Sequence, residues 1–154
     1  MTAKTALVAA LALAVAGGGY TAAQAQGRLT VEDRLDIEQN YARYYHAIDS
    51  GNAEAWADTF TADGEFNGTK GRDALVAFIK RAGPQKTRHV VSNLVLEPTA
   101  EGAKGSLYVF IFNPEQVPVT INSYSRYDDT LVKTPQGWKF KTKIRSSDTT
   151  IGRR

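Results

Sequence analysis

Cysteine is absent from all 154 residues, which removes disulfides, thiolate metal centres and cysteine nucleophiles from consideration. Histidine is scarce. His46 and His89 are the only two, and neither stands at a spacing from carboxylates that builds a metal site. There is no glycine-rich phosphate loop, no dinucleotide fingerprint and no serine elbow, so neither a metal nor a cofactor is expected. An excess of one charge is also missing. Nineteen basic residues stand against 16 acidic ones, which leaves no footprint for nucleic acid. Arg145, Arg153 and Arg154 gather near the C-terminus as a solvated tail. No apolar run reaches the ~20 residues that span a bilayer, so no stable membrane anchor is expected.

What is present begins with a leader. Lys4 is the only charge before an apolar run from Ala6 to Ala16, followed by three glycines and then Ala23-Gln24-Ala25. This is the layout of a cleavable secretory signal over residues 1–25, with a periplasmic or secreted destination for the remainder. Residues 26–154, 129 in all, suffice for one compact domain with a real core. That domain must be stabilised by its core, by oligomerisation or by both.

Thr30 followed by Asp33 reads as a capping box, and a helix is predicted from there to Ser50-Gly51-Asn52. Its apolar positions Leu35, Ile37, Tyr41, Tyr44, Tyr45 and Ile48 define a buried face. A short helix is predicted from Ala53 to Phe60, a turn at Thr61–Gly64, a short strand at Glu65–Asn67, and a third helix from Gly71 to Gly83-Pro84. From Thr87 the pattern turns to β, with strands over Arg88–Glu97, Lys104–Asn113, Val117–Lys133 and Gly137–Ser146. Helices first and hairpins afterwards imply an α+β domain with an antiparallel sheet.

This order resembles the SnoaL-like branch of the nuclear transport factor 2-like superfamily, which includes scytalone-dehydratase-like and ketosteroid-isomerase-like proteins. The resemblance is carried by Tyr44–Asp49 (YYHAID), Ser50-Gly51-Asn52, Trp56–Phe60 (WADTF), Thr61–Gly64 (TADG), Gly71-Arg72, Arg88-His89 with Asn93, and Tyr127–Trp138. It implies helices packed on a curved antiparallel sheet that forms a conical cavity, often within a homodimer. The fold alone supplies no function, because it also serves proteins without catalysis.

Asp49 ends the first helix near its aromatic face, where a carboxylate is either a tuned base or helix punctuation. His89 opens the first long strand, and strict alternation puts His89, Val91, Asn93 and Val95 on one face, as a cavity wall or as an exposed strand end. The resemblance implies a catalytic set of Asp49, His89 and Tyr44. In it the imidazole removes a proton next to a carbonyl, Asp49 supports it, and Tyr44 or Tyr45 polarises the oxygen. Tyr45, Trp56, Phe60, Asn93 and Tyr108 are candidate substrate contacts, with Phe66, Phe110 and Phe112 in the cavity or the core. On the last strand, Trp138, Phe140, Thr142 and Ile144 alternate against Lys139, Lys141, Lys143 and Arg145, so the four basic residues are expected in solvent unless a bulge intervenes. His46 reads as a helix-surface residue. Two functions remain open. One is a cofactor-independent dehydratase or isomerase acting on a small apolar molecule; the other is a non-catalytic ligand-binding or oligomerisation module of the cell envelope.

Overall fold

The computed structural model of the protein describes residues 28–146 apart from Pro84; the expected leader and the Arg153-Arg154 tail lie outside the described residues. Helix α1 (Val31–Ser50) opens on the capping box, with the Thr30 hydroxyl accepting from the Asp33 N–H and the Asp33 carboxylate accepting from the Thr30 N–H. It ends at Gly51, whose φ of 71° suits glycine. Ile37, Tyr41, Tyr44 and Tyr45 face inward, whereas Leu35 is exposed. Leu35 lies two residues from Ile37, about 200° around the helix, and so falls off the buried stripe.

Helix α2 (Ala53–Ala57) is shorter than predicted. The chain leaves it at Asp58 and enters strand β1 (Phe60–Phe66), because the Thr59 carbonyl accepts from the Phe140 N–H and draws the segment against the last strand. The turn expected at Thr61–Gly64 is thus part of a strand. A Cβ at Gly64 would come within 2.8 Å of the Phe60 Cβ and 3.1 Å of the Phe140 carbonyl oxygen, so this crossing requires glycine. Strand β2 (Thr69–Lys70) and helix α3 (Arg72–Ala82) follow. Then come β3 (Arg88–Pro98), β4 (Ala103–Phe112), β5 (Ile121–Thr134) and β6 (Gly137–Ser146).

The six strands form one curved sheet in the order β2-β1-β6-β5-β4-β3. It is mixed rather than antiparallel, since β1 runs parallel to β6. The helices cover its concave face, where Trp56, Phe60, Phe66, Phe140 and the α1 tyrosines make an aromatic core. Cross-strand register assigns the faces: Val109, Ser125 and Tyr127 point toward the helices, whereas Tyr108, Phe110 and Tyr124 point away.

Two bulges change the expected alternation. On β3 the register shifts between Ser92 and Val95, and Asn93 adopts φ of 55°. Beyond that point Leu94 and Leu96, not Asn93 and Val95, turn inward. On β6 the pairing jumps from Leu131↔Phe140 to Thr130↔Thr142, leaving Lys141 as the extra residue. Trp138 and Phe140 therefore face the core before the bulge, and Lys143 and Arg145 share that face after it.

Candidate active site on the concave face

Asp49 and His89 come from the end of α1 and the start of β3, 40 positions apart, and meet with His89 Nδ1 2.6 Å from Asp49 Oδ1. The second oxygen accepts from the His89 backbone N–H at 3.2 Å, so one carboxylate holds both ring and chain. Only 9% of the His89 side chain and 15% of the Asp49 side chain reach solvent. An ionised carboxylate only accepts, so the proton between the two groups belongs to Nδ1, and in the neutral ring Nε2 keeps its lone pair. Among the described residues no hydrogen-bond partner occupies Nε2. The Tyr45 ring packs against the imidazole at 5.6 Å between centroids, tilted by 33°. Val91, two residues along the same face, is 43% exposed, so the sheet is open beside His89.

Farther across the same face lies a group that strict alternation hides. Lys143 Nζ donates to Asp129 Oδ2 at 2.7 Å, and the Tyr41 hydroxyl donates to the same oxygen at 2.7 Å. Both charged side chains are wholly excluded from solvent. The ammonium sits 4.5–5.5 Å from the ring centres of Tyr41, Tyr44, Tyr45, Tyr127 and Phe140, a cage of π-faces. Burial dominates the electrostatics here, raising the Asp129 pKa and lowering that of Lys143 despite their attraction. Two residues on, Arg145 Nε donates to the Ser125 hydroxyl at 2.8 Å. No carboxylate pairs with Arg145 among the described residues.

The tyrosines are donors rather than bases. Burial pushes Tyr44 and Tyr45 well above the ordinary phenol value, and Tyr127 is pushed up to about 12, with the Arg145 charge opposing that rise. Tyr44 is buried among the Tyr45, Trp56, Phe60 and Phe140 rings at 4.8–5.9 Å, inside the core. The Tyr44 and Tyr45 hydroxyls and the Trp56 indole N–H have no partner of good hydrogen-bond geometry.

The remaining sequence candidates divide by location. Trp56 and Phe60 are buried core residues, in tilted ring contacts with one another and with Tyr44. Tyr108 pairs with Ser92 and Arg126 on the outer face, opposite the one His89 occupies, because odd and even positions of β4 take opposite sides. Asn93 is exposed at the β3 bulge, its side-chain oxygen accepting from Ser92. His46 is exposed on α1, as expected. The surface depressions at Arg28–Trp138 and at Arg43–Lys139 lie away from His89. Among the described residues no three histidine or acidic side chains gather as a metal would require, and no helix is long and apolar enough to cross a membrane.

The residues missed by strict alternation are Asp129, Lys143, Ser125, Tyr127 and Arg145. A signal for them did exist. Tyr127, Asp129 and Leu131 alternate on one strand face, and a carboxylate between two buried apolar residues demands a cation from the neighbouring strand.

A family model described as SnoaL-like domain matches residues 29–143. Among solved structures, an NTF2-like protein with a cystatin-like fold from Novosphingobium aromaticivorans superposes with a TM-score of 0.68 at 26% identity, covering 79% of this chain and 85% of that one. A protein from Catenulispora acidiphila in complex with S-DNPA gives a TM-score of 0.66 at 23% identity, over 75% of this chain and 95% of that one. A putative aromatic ring hydroxylase from N. aromaticivorans gives 0.66 at 21% identity, over 79% of this chain and 92% of that one. No curated protein sequence matches the chain.

Proposed function

The chain belongs to the SnoaL-like domain family, and on that premise we propose that it is a cofactor-independent isomerase or dehydratase acting on a small, largely apolar carbonyl compound. The observation that carries this reading is the 2.6 Å contact that turns the free Nε2 of His89 into a positioned base. Nε2 takes a proton from the carbon next to the carbonyl, and the electron pair moves onto the carbonyl oxygen as an enolate. Imidazolium then returns the proton to a different carbon, giving an isomer, or to a β-hydroxyl that leaves as water. Arg145, held on Ser125 and without a carboxylate of its own, is the donor suited to the enolate oxygen. Tyr45 supplies an apolar wall against the imidazole. Asp49 keeps the ring in the productive tautomer and stabilises the cation formed.

The S-DNPA complex of the Catenulispora protein supports a small-molecule occupant for a fold of this kind. The domain is further proposed to work after export, and as a homodimer. Val90, Val95, Tyr108 and Ile144 are exposed on the outer sheet face, around an Arg126–Asp128 pair that leaves it electrically balanced. Sedimentation of the exported protein tests the dimer, with Tyr108→Glu expected to yield monomer.

The functional test begins with native mass spectrometry of the exported protein to find a retained small molecule, followed by turnover of that compound. His89→Ala and Asp49→Asn are each expected to lower kcat by roughly 10²–10⁴ with little change in binding. A second reading, a binder that does not transform its ligand, is favoured by the packing of Tyr44 among Trp56, Phe60 and Phe140, which takes from the site a tyrosine of the catalytic set that the resemblance implies. Retention of an unaltered compound on prolonged incubation, with equal affinity in both variants, would establish that reading and sink the first.

A further inference from the structure

The β6 bulge is costly on apolar grounds alone. Plain alternation from Trp138 would carry Phe140, Thr142 and Ile144 inward and leave Lys143 in water. The chain instead exposes Ile144 by 42% on the outer face and buries a lysine completely. Some interaction must outweigh that loss.

Asp129 is the group that plain alternation cannot satisfy. Its place on the concave face is fixed independently of β6: the β4–β5 ladder pairs Ile111↔Ser123 through Gly105↔Asp129 to Ala103↔Leu131 without a break. Tyr41 holds it from α1, and Gly105 opposite it leaves the room for that hydroxyl that a Cβ would take. In the plain frame this carboxylate would face Thr142 and Ile144, buried and without a cation, the arrangement that folded proteins tolerate least. The bulge brings Lys143 to it at 2.7 Å. On the other side the extra residue, Lys141, is paired with Asp63 of β1.

We propose that the buried Asp129–Lys143 pair is a register lock on β6, a positioning pair whose consequence is to carry Arg145 onto the concave face beside Ser125. Because side chains alternate, the choice made at Lys143 is inherited two residues later. In the locked frame Arg145 reaches Ser125; in the plain frame it would project from the outer face. Lys143 and Asp129 thus determine which charge the concave face offers without themselves meeting a ligand. Such a role agrees with the best-attested use of buried polar pairs, the specification of register.

The test reads register directly and does not depend on turnover, so its outcome is separate from that of the His89 variants. Ile144→Cys, made together with Tyr108→Glu so that no second copy covers the outer face, introduces a single thiol into a chain that has no other. Maleimide labelling of that thiol then reports position 144, while acetylation followed by peptide mass spectrometry reports Lys143. In the Ile144→Cys protein the thiol labels readily and Lys143 is protected. Adding Asp129→Leu is expected to invert the pattern, with Lys143 becoming reactive and the thiol protected by roughly tenfold. Simple loosening of the strand would instead expose both sites, and that result overturns the lock, as does an unchanged pattern. If the variant carrying Asp129→Leu does not fold, the exchange of the pair, Asp129→Lys with Lys143→Asp, decides in the same Ile144→Cys background. A folded protein with the thiol labelled and the relocated ammonium protected supports the lock; failure to fold, or protection of the thiol, contradicts it.

Discussion

Asp33 and Lys133 meet at 2.7 Å, and so do Asp129 and Lys143. The two pairs sit on the same side of the sheet, yet their surroundings differ in every respect that sets an energy. Lys133 is 65% exposed and Asp33 only 11%. The Asp33 carboxylate also accepts from the Trp138 indole and closes the capping box of α1. The Lys133 ammonium first, and then the indole, hold Asp33 well below the ordinary carboxylate range, so ionisation of this group favours folding. At Asp129 and Lys143 both side chains are fully excluded from water, and desolvation moves each pKa toward the neutral form. An ion pair of the same length contributes stability in one place and specificity in the other.

The largest expected effect that separates the two follows from removing one partner in the interior. Asp129→Ala should destabilise the domain by about 3–5 kcal/mol in urea unfolding, because Lys143 must either stay unpaired among the aromatic rings or leave them by a shift of β6 that gives up the native packing. Replacing both, as Asp129→Leu with Lys143→Met, should recover most of that loss. If the double variant were as unstable as the single one, the pair would be a source of stability after all and the contrast with Asp33 would fail.

Next comes the acid limb. A carboxylate whose folded pKa is depressed contributes stability that is complete above its unfolded value, near 4, and is lost as pH falls through the folded value. Stability of the parent should therefore decline below about pH 4, in part through Asp33. Asp33→Asn should cost about 1–2 kcal/mol at neutral pH and flatten that limb. Asp129 has the opposite sign. Its raised folded pKa favours the folded state at low pH and loses that contribution as pH rises through the raised value. Variants at Asp129 should therefore leave the Asp33 acid limb in place.

The smallest effect is at the exposed partner. Lys133→Ala should cost under about 1 kcal/mol, and 1 M salt should remove most of the difference from the parent. The same salt should leave the penalty at Asp129→Ala nearly unchanged, since no solvent reaches that pair. Unfolding midpoints at low and high salt measure both.

These two sites also mark how far the sequence can be read. Thr30 and Asp33 declare a helix start through local spacing alone, and the structure has that capping box. The β hairpins are equally local, and their strands fall within a few residues of the expected spans. Only family resemblance places Asp49 with His89, because nothing in spacing relates positions 40 residues apart. The β6 bulge is not legible. A period of two holds until a tertiary demand breaks it, and here the demand comes from Asp129 on another strand. The parallel pairing of β1 with β6 is hidden for a related reason: Thr61–Gly64 has the composition of a turn, and only contact with Phe140 draws it into a strand.

The claim that organises the site is that Asp49 holds His89 with its proton on Nδ1, which in the neutral ring leaves Nε2 as the base. Long-range ¹⁵N–¹H correlation spectra of the two imidazoles test this without any substrate, since His46 on the helix surface provides the internal reference. The account predicts a protonated, slowly exchanging Nδ1 and an unprotonated Nε2 for His89 in the neutral ring, with that protection lost in Asp49→Asn. A His89 ring protonated on Nε2, or one that exchanges as freely as His46, would contradict it.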